Sequence, residues 1–165
     1  MRKIVLVLAV VFLLAALSGG LKAENFKHLA GGVSIWLPAD WEIDSDEEEG
    51  ALYADAPDGD AFCVLQALAE ANDLGTAMAT YGDALSEEMD EFHVTREASQ
   101  SQMNGFAVFR IGGEGVRDEK TWSVDVLLIA TGKATLMCAI GWEKGREEKF
   151  APLRDTIFPS IKNID

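Results

Sequence analysis

Short runs that alternate apolar and polar residues, each closed by turn chemistry, recur along most of this chain, and that pattern points to an antiparallel sheet. In Gly31-Gly32-Val33-Ser34-Ile35-Trp36-Leu37-Pro38, the residues Val33, Ile35 and Leu37 share one face and Ser34 and Trp36 the other. Pro38 closes this strand because it has no N–H for a ladder. Ala51-Leu52-Tyr53-Ala54 and Ala61-Phe62-Cys63-Val64-Leu65-Gln66-Ala67-Leu68 read as two further strands around the turn Pro57-Asp58-Gly59-Asp60. Strands are also expected over 93–99 and 105–111, joined through Asn104-Gly105, where both residues accept a positive φ. A last hairpin pairs 121–130 with 134–142 across Thr131-Gly132-Lys133. The cluster Gly112-Gly113-Glu114-Gly115 is expected to break its strand as a bulge or loop tip. Residues 24–30 read as a polar lead-in and 44–50 as a charged loop.

Two segments carry a helical period instead. Leu74, Met78, Tyr81, Leu85, Met89 and Phe92 fall on one face of a helix expected over residues 73–91, with Asp73 as its N-cap. Glu87, Glu88, Asp90 and Glu91 would crowd the last turn, where the helix dipole disfavours anions, so that end is expected in open solvent. Gly75 and Gly82 each weaken such a helix by about 1 kcal/mol relative to Ala, which packing on the sheet must offset. Near the C-terminus, Phe150, Leu153, Ile157 and Ile161 give a second stripe over 146–158, with Pro152 near the first turn and Pro159 as the stop.

This order of elements, headed by Gly32-Val33-Ser34-Ile35-Trp36-Leu37-Pro38-Ala39-Asp40-Trp41, resembles the PsbP-like superfamily over about 130 residues, from Gly32 to the C-terminus. That group includes an extrinsic subunit of photosystem II, a eukaryotic Ran-GTPase release factor and small exported bacterial proteins. The resemblance implies an antiparallel sheet flanked by helices, no shared catalytic residues, and action through bound partners. The expected fold is therefore α+β, one domain over 24–165 with about seven antiparallel strands covered by two helices, an α/β/α sandwich.

The N-terminus has its own logic. Arg2 and Lys3 precede an unbroken apolar run from Ile4 to Leu17, and Ser18-Gly19-Gly20-Leu21-Lys22-Ala23 follows. A basic start, a 14-residue apolar stretch and a small-residue exit match a secretory signal peptide over 1–23, and the run is shorter than the roughly 18–20 residues of a spanning helix. Cleavage is expected after Ala23, with the Ala16-Leu17-Ser18 step as the alternative, and the absence of a nearby Cys excludes lipid anchoring. The expected location is the periplasm or the extracellular space. Of 165 residues, 28 are acidic and 14 basic, a net charge of −14. Without the leader's Arg2, Lys3 and Lys22 the imbalance grows to 28 against 11. Such a surface repels phosphate backbones and anionic lipid heads, so nucleic-acid and membrane-surface roles are disfavoured.

Candidate sites are few. Asp44, Asp46, Glu47, Glu48 and Glu49, with Asp55, Asp58 and Asp60 beyond the next strand, could gather oxygen ligands for Ca²⁺, form an acidic docking patch, or simply be a solvated loop. The spacing Asp55-x-x-Asp58-Gly59-Asp60 does not match an EF-hand, and no cofactor is otherwise expected. Cys63 and Cys138 lie on apolar strands. Outside the cytoplasm an even count is compatible with a disulfide, and closing about 75 residues would stabilise the fold by about 4–5 kcal/mol. Two buried free thiols are the other reading, and the bond needs neighbouring strands with Cα atoms within about 7 Å. His28 and His93 are far apart, and neither has the close Cys or His that zinc requires. Ser86 and Ser123 have no GxSxG context, and the glycine cluster no GK[ST]. Among Trp36, Trp41, Trp122 and Trp142, burial in the core is expected, Trp36 included, since helices are to cover both sheet faces. The sequence thus reads as a non-catalytic module binding another cell-envelope or extracellular protein. The alternative is a divalent-cation or small-ligand binder using residues 44–60.

Overall fold

A computed structural model of the chain describes residues 23–46, 48 and 50–164. The leader expected at 1–23 lies outside the described residues except for Ala23. Ten strands and two helices follow in the order β1 (Ala23–His28), β2 (Val33–Pro38), β3 (Glu42–Asp46), β4 (Ala51–Asp55), β5 (Ala61–Ala67), α1 (Leu74–Ser86), β6 (Asp90–Met103), β7 (Phe106–Arg117), β8 (Lys120–Ala130), β9 (Thr135–Glu143), α2 (Glu147–Ser160) and β10 (Lys162–Asn163). A seven-stranded antiparallel sheet has the order β3-β4-β5-β9-β8-β7-β6, and a smaller sheet has the order β1-β2-β10.

The expected α+β architecture is present, but the seven strands are not the seven expected from the sequence. Strand β2 leaves the large sheet and, flanked by β1 and β10, forms the small one. Its place in the large sheet is taken by β3, in the segment expected as a loop, because Asp44 and Asp46 sit on an edge strand where acidic side chains reach water. The polar lead-in is likewise a strand, β1, mostly exposed and paired along the whole of β2.

Each face of the large sheet has its own core. On one face, Cys63, Leu65, Leu127, Ile129, Cys138 and Ile140 meet Val33, Ile35 and Leu37 of β2 and Phe150, Ile157 and Phe158 of α2. On the other, Phe62, Val64, Val124, Val126, Met137 and Ala139 meet Ala77 and Leu85 of α1. Helix α1 starts as expected, with the Asp73 carboxylate accepting from Thr76 N at 2.8 Å. That bond holds the Asp73 pKa below the ordinary carboxylate value. The helix stops at Ser86, short of 91, and the chain turns through Met89 into β6. Met89 and Phe92 keep their core contacts from the turn and strand instead. Glu88 is half-buried rather than in open solvent; burial raises its pKa against the pull of Arg117.

Helix α2 contains both prolines, Pro152 in its second turn and Pro159 inside its last. The carbonyls they leave unbonded belong to Glu148 and Asp155, both exposed residues that water can serve, so neither proline ends the helix.

The glycine cluster does not break its strand either. Residues 112–115 lie within continuous β7, and the irregularity falls on the partner: β6 shifts register between Asp90 and His93, Val94 and Arg96, and Arg96 and Ser99. The cause is close approach. A Cβ on Gly113 would stand 2.3 Å from the Phe92 ring, and one on Gly115 would stand 2.4 Å from Met89 Sδ. The Asn104-Gly105 hairpin forms as expected, with φ of 52° and 85°. Asn104 Nδ2 also donates to the Pro159 and Ile161 carbonyls at 2.7 Å each, tying this turn to the end of α2.

Two glycine substitutions should therefore move stability in opposite directions in urea denaturation. Gly113→Ala drives a methyl into the Phe92 ring and is expected to cost about 1–3 kcal/mol. Gly82→Ala, where an added Cβ meets nothing on the exposed side of α1, is expected to stabilise by up to about 1 kcal/mol. A neutral Gly113→Ala would mean that Phe92 does not occupy that slot.

Candidate functional site

The acidic residues singled out from the sequence do not form one cluster. Glu42 pairs with Asp55 and Asp46 with Ala51 along the β3–β4 hairpin, so Asp46 and Glu48 lie toward one end, Asp44 sits midway opposite Tyr53, and Asp55, Asp58 and Asp60 lie toward the other end. The four residue steps from Ala51 to Asp55 separate the ends by about 13 Å. Glu47 and Glu49 lie outside the described residues. The second group is already matched with cations. Asp55 meets Arg117 Nη2 at 3.4 Å, and Asp58 and Asp60 meet Lys149 Nζ at 3.3 and 3.2 Å. Asp60 also faces Arg146 at 3.9 Å. Desolvation alone would lower the Lys149 pKa, but its hydrogen bonds to Asp60 and Asp58 outweigh this and raise it. Among the described residues, no three His, Cys, Asp or Glu side chains are placed to hold a metal ion.

Cys63 and Cys138 are both fully buried, as free thiols, on neighbouring strands. Cys63 pairs with Ile140 and Leu65 with Cys138, so the two thiols are diagonal neighbours on the α2 face. The hydrogen bond with Cys63, together with burial, raises the Cys138 pKa well above an ordinary thiol, which makes a poor nucleophile. His28 braces the loop around it, since Nδ1 accepts from Gly31 N at 3.0 Å while Nε2 faces the Gly50 carbonyl at 2.7 Å. His93 sits exposed on β6.

One polar centre is not among the residues expected from the sequence. Asp125 of β8, its side chain 4 % exposed, is met by three arginines from three elements: Arg96 of β6, Arg110 of β7 and Arg154 of α2. Arg110 stands 3.5 Å from it, and Asp155 draws Arg110 and Arg154 at 3.6 and 2.8 Å. The guanidinium of Arg154 lies over Trp142 at 5.7 Å and that of Arg110 over Phe158 at 5.6 Å. A carboxylate inside the apolar run Val124-Asp125-Val126 is the signal that the sequence offers for it. Its role follows from its partners: it pins α2 to the sheet, and an isolated buried charge would not be tolerated.

The apolar cavity is elsewhere, between the end of β2, the β4–β5 turn and the first half of α2. It encloses about 560 Å³. Trp36, Trp41, Phe150 and Leu153 give its apolar wall, Pro38, Pro57 and Pro152 stiffen its borders, and Asp40, Asp58 and Lys149 stand at it as charges. Trp41, 7 % exposed, is placed by a turn in which its N–H donates to the Pro38 carbonyl at 3.2 Å. The opposite border is fixed by Gly59 N donating to the Ala56 carbonyl at 2.8 Å and by Lys149, which bridges α2 to Asp58 and Asp60. Trp36 is the correction among the tryptophans. It alternates away from the Val33, Ile35 and Leu37 face and is half-buried, packed against the edge of the α2-side core where it lines the cavity, whereas Trp41, Trp122 and Trp142 are buried.

This layered arrangement defines the PsbP-like fold, and solved structures bear that out. The cyanobacterial PsbP (CyanoP) from Synechocystis sp. PCC 6803 superposes with a TM-score of 0.61 at 13 % identity, covering 89 % of this chain and 95 % of that one. The Saccharomyces cerevisiae Ran-binding protein Mog1p gives 0.58 at 12 % identity, over 88 % and 97 % of the two chains. A Pseudomonas aeruginosa protein of unknown function gives 0.53 at 13 % identity, over 84 % and 94 %. No protein-family model and no curated protein matches the sequence.

The Asp125 centre predicts unequal costs for its members. Asp125→Ala leaves guanidinium groups facing one another and should destabilise by about 3 kcal/mol in chemical denaturation. Arg96→Ala removes a partner that is 54 % exposed and should cost about 1 kcal/mol or less. Equal losses in the two variants would contradict this division.

Proposed function

We propose that this chain is an exported, non-catalytic binding module that contacts another cell-envelope or extracellular protein through the cavity between β2, the β4–β5 turn and α2. The single observation that carries the reading is the half-buried Trp36 lining that 560 Å³ apolar cavity together with Trp41, Phe150 and Leu153. Aromatic side chains lining an apolar concavity, one of them only half-buried, are the usual composition of an interface anchor. The fold adds weight, because the Mog1p structure with the same architecture is that of a Ran-binding protein. The polar groups of this chain favour binding over chemistry: the thiols are buried, and the convergent carboxylates are held by arginines and lysines. Export rests on the leader-like segment, residues 1–23. Among the described residues no helix is long and apolar enough to cross a membrane.

Placing a photo-crosslinking amino acid at position 36 in cells producing the full chain should give an adduct with one discrete protein, while position 97, exposed on β6, gives none. Combining it with Leu153→Ala, at a half-buried residue of the cavity wall, should weaken capture by about fivefold. N-terminal sequencing of the recovered protein should begin at Glu24. Adducts from position 97 alone would overturn the assignment of the surface, and an intact Met1 on protein confined to the cytoplasm would overturn export.

A further inference from the structure

We infer that the segment occupying this cavity presents a basic side chain, arginine or lysine, flanked by apolar ones, with Asp40 as its counter-ion. The inference rests on the cavity being the docking site and adds the chemistry of what docks. Three observations support it.

The first is the state of the charges around the cavity. Asp58 and Asp60 are held by Lys149, and Asp60 faces Arg146 as well, so the cations on this border are already matched. Asp40 is different. It lines the same cavity and is exposed, and among the described residues it has no hydrogen bond or ion pair. The charge left over at an apolar site is therefore negative.

The second is the wall itself. Trp36 and Trp41 line the cavity beside Asp40, and indole faces attract a cation more strongly than any other side-chain ring. The chain already uses such stacking, with Lys149 Nζ lying 4.6 Å from the centre of the Phe150 ring. Arginine and lysine also carry apolar stems, which suit a wall of Phe150 and Leu153 below a charged rim.

The third is the field of the whole molecule. A net charge of −14 favours approach of a positively charged segment and disfavours an acidic one before contact is made.

Three blocked tripeptides of equal size serve as probes: acetyl-Leu-Arg-Leu-amide, its citrulline counterpart, which keeps the shape but not the charge, and its glutamate counterpart. Binding is read from the indole N–H signals of Trp36 and Trp41 by nuclear magnetic resonance at low salt. The arginine peptide should bind about fivefold or more tightly than the citrulline peptide, and the glutamate peptide most weakly. In Asp40→Asn the arginine and citrulline affinities should converge while the citrulline affinity stays unchanged, which also shows that the variant is folded. Equal binding of arginine and citrulline peptides by the unaltered protein would overturn the charge inference and leave the docking site standing. No perturbation of either indole by any peptide would overturn both.

Discussion

The side of the molecule that carries the cavity depends on covering one apolar face of the large sheet with two unlike pieces. Strands β5, β8 and β9 present Cys63, Leu65, Leu127, Ile129, Cys138 and Ile140, and neither the small sheet nor α2 is wide enough to shelter them alone. Strand β2 covers part through Val33, Ile35 and Leu37, and α2 covers the rest through Phe150, Ile157 and Phe158. Hydrogen bonds join the two covers: the Ser160 side-chain Oγ accepts from Trp36 N at 2.9 Å, and β10, just after α2, pairs with Ser34 and Val33. The cavity lies between these two covers, lined by Trp36 and Pro38 of β2 and by Phe150 and Leu153 of α2.

Polar contacts hold this layer at the start and at the middle of α2. Asp125 gathers Arg96, Arg110 and Arg154 and so fastens α2 to β6, β7 and β8, while Lys149 fastens the start of the helix to the β4–β5 turn. A helix containing two prolines has lost backbone bonds, and side-chain ties of this kind offset that weakness. Such ties brace the borders of the cavity, which would lower the ordering cost of the binding proposed for it.

The large architecture is readable from the sequence because period 2 and period 3.6 separate cleanly here. The hairpins at Asn104-Gly105 and Thr131-Gly132-Lys133, the Asp73 cap and the two helical stripes all follow from local chemistry. Sheet membership does not, since alternation says which face a residue takes but not which strand lies beside it. Hence alternation alone puts β2 in the large sheet, and it misses β3, which is hidden by the acidic side chains that an edge strand tolerates. The glycines at 112–115 look like a break in the sequence because their reason, the Phe92 and Met89 side chains, lies outside their own strand. The candidate site is legible only in part. Trp36, Trp41 and Pro38 stand out as features of the fold, yet their meeting with Phe150 and Leu153 is a contact across more than 100 residues. The acidic residues stand out by density alone, and the hairpin geometry divides those that the structure describes.

The central claim is that β2 and α2 stand on the large sheet as one layer, and native-state hydrogen exchange under low denaturant tests it most directly. The amides of β2 and α2 should share one opening free energy and one denaturant slope, while the interior strands β8 and β9 open only with the whole molecule. If α2 exchanges freely while β2 keeps its protection, the two are separate coverings, and the cavity between them is not the fixed site described above.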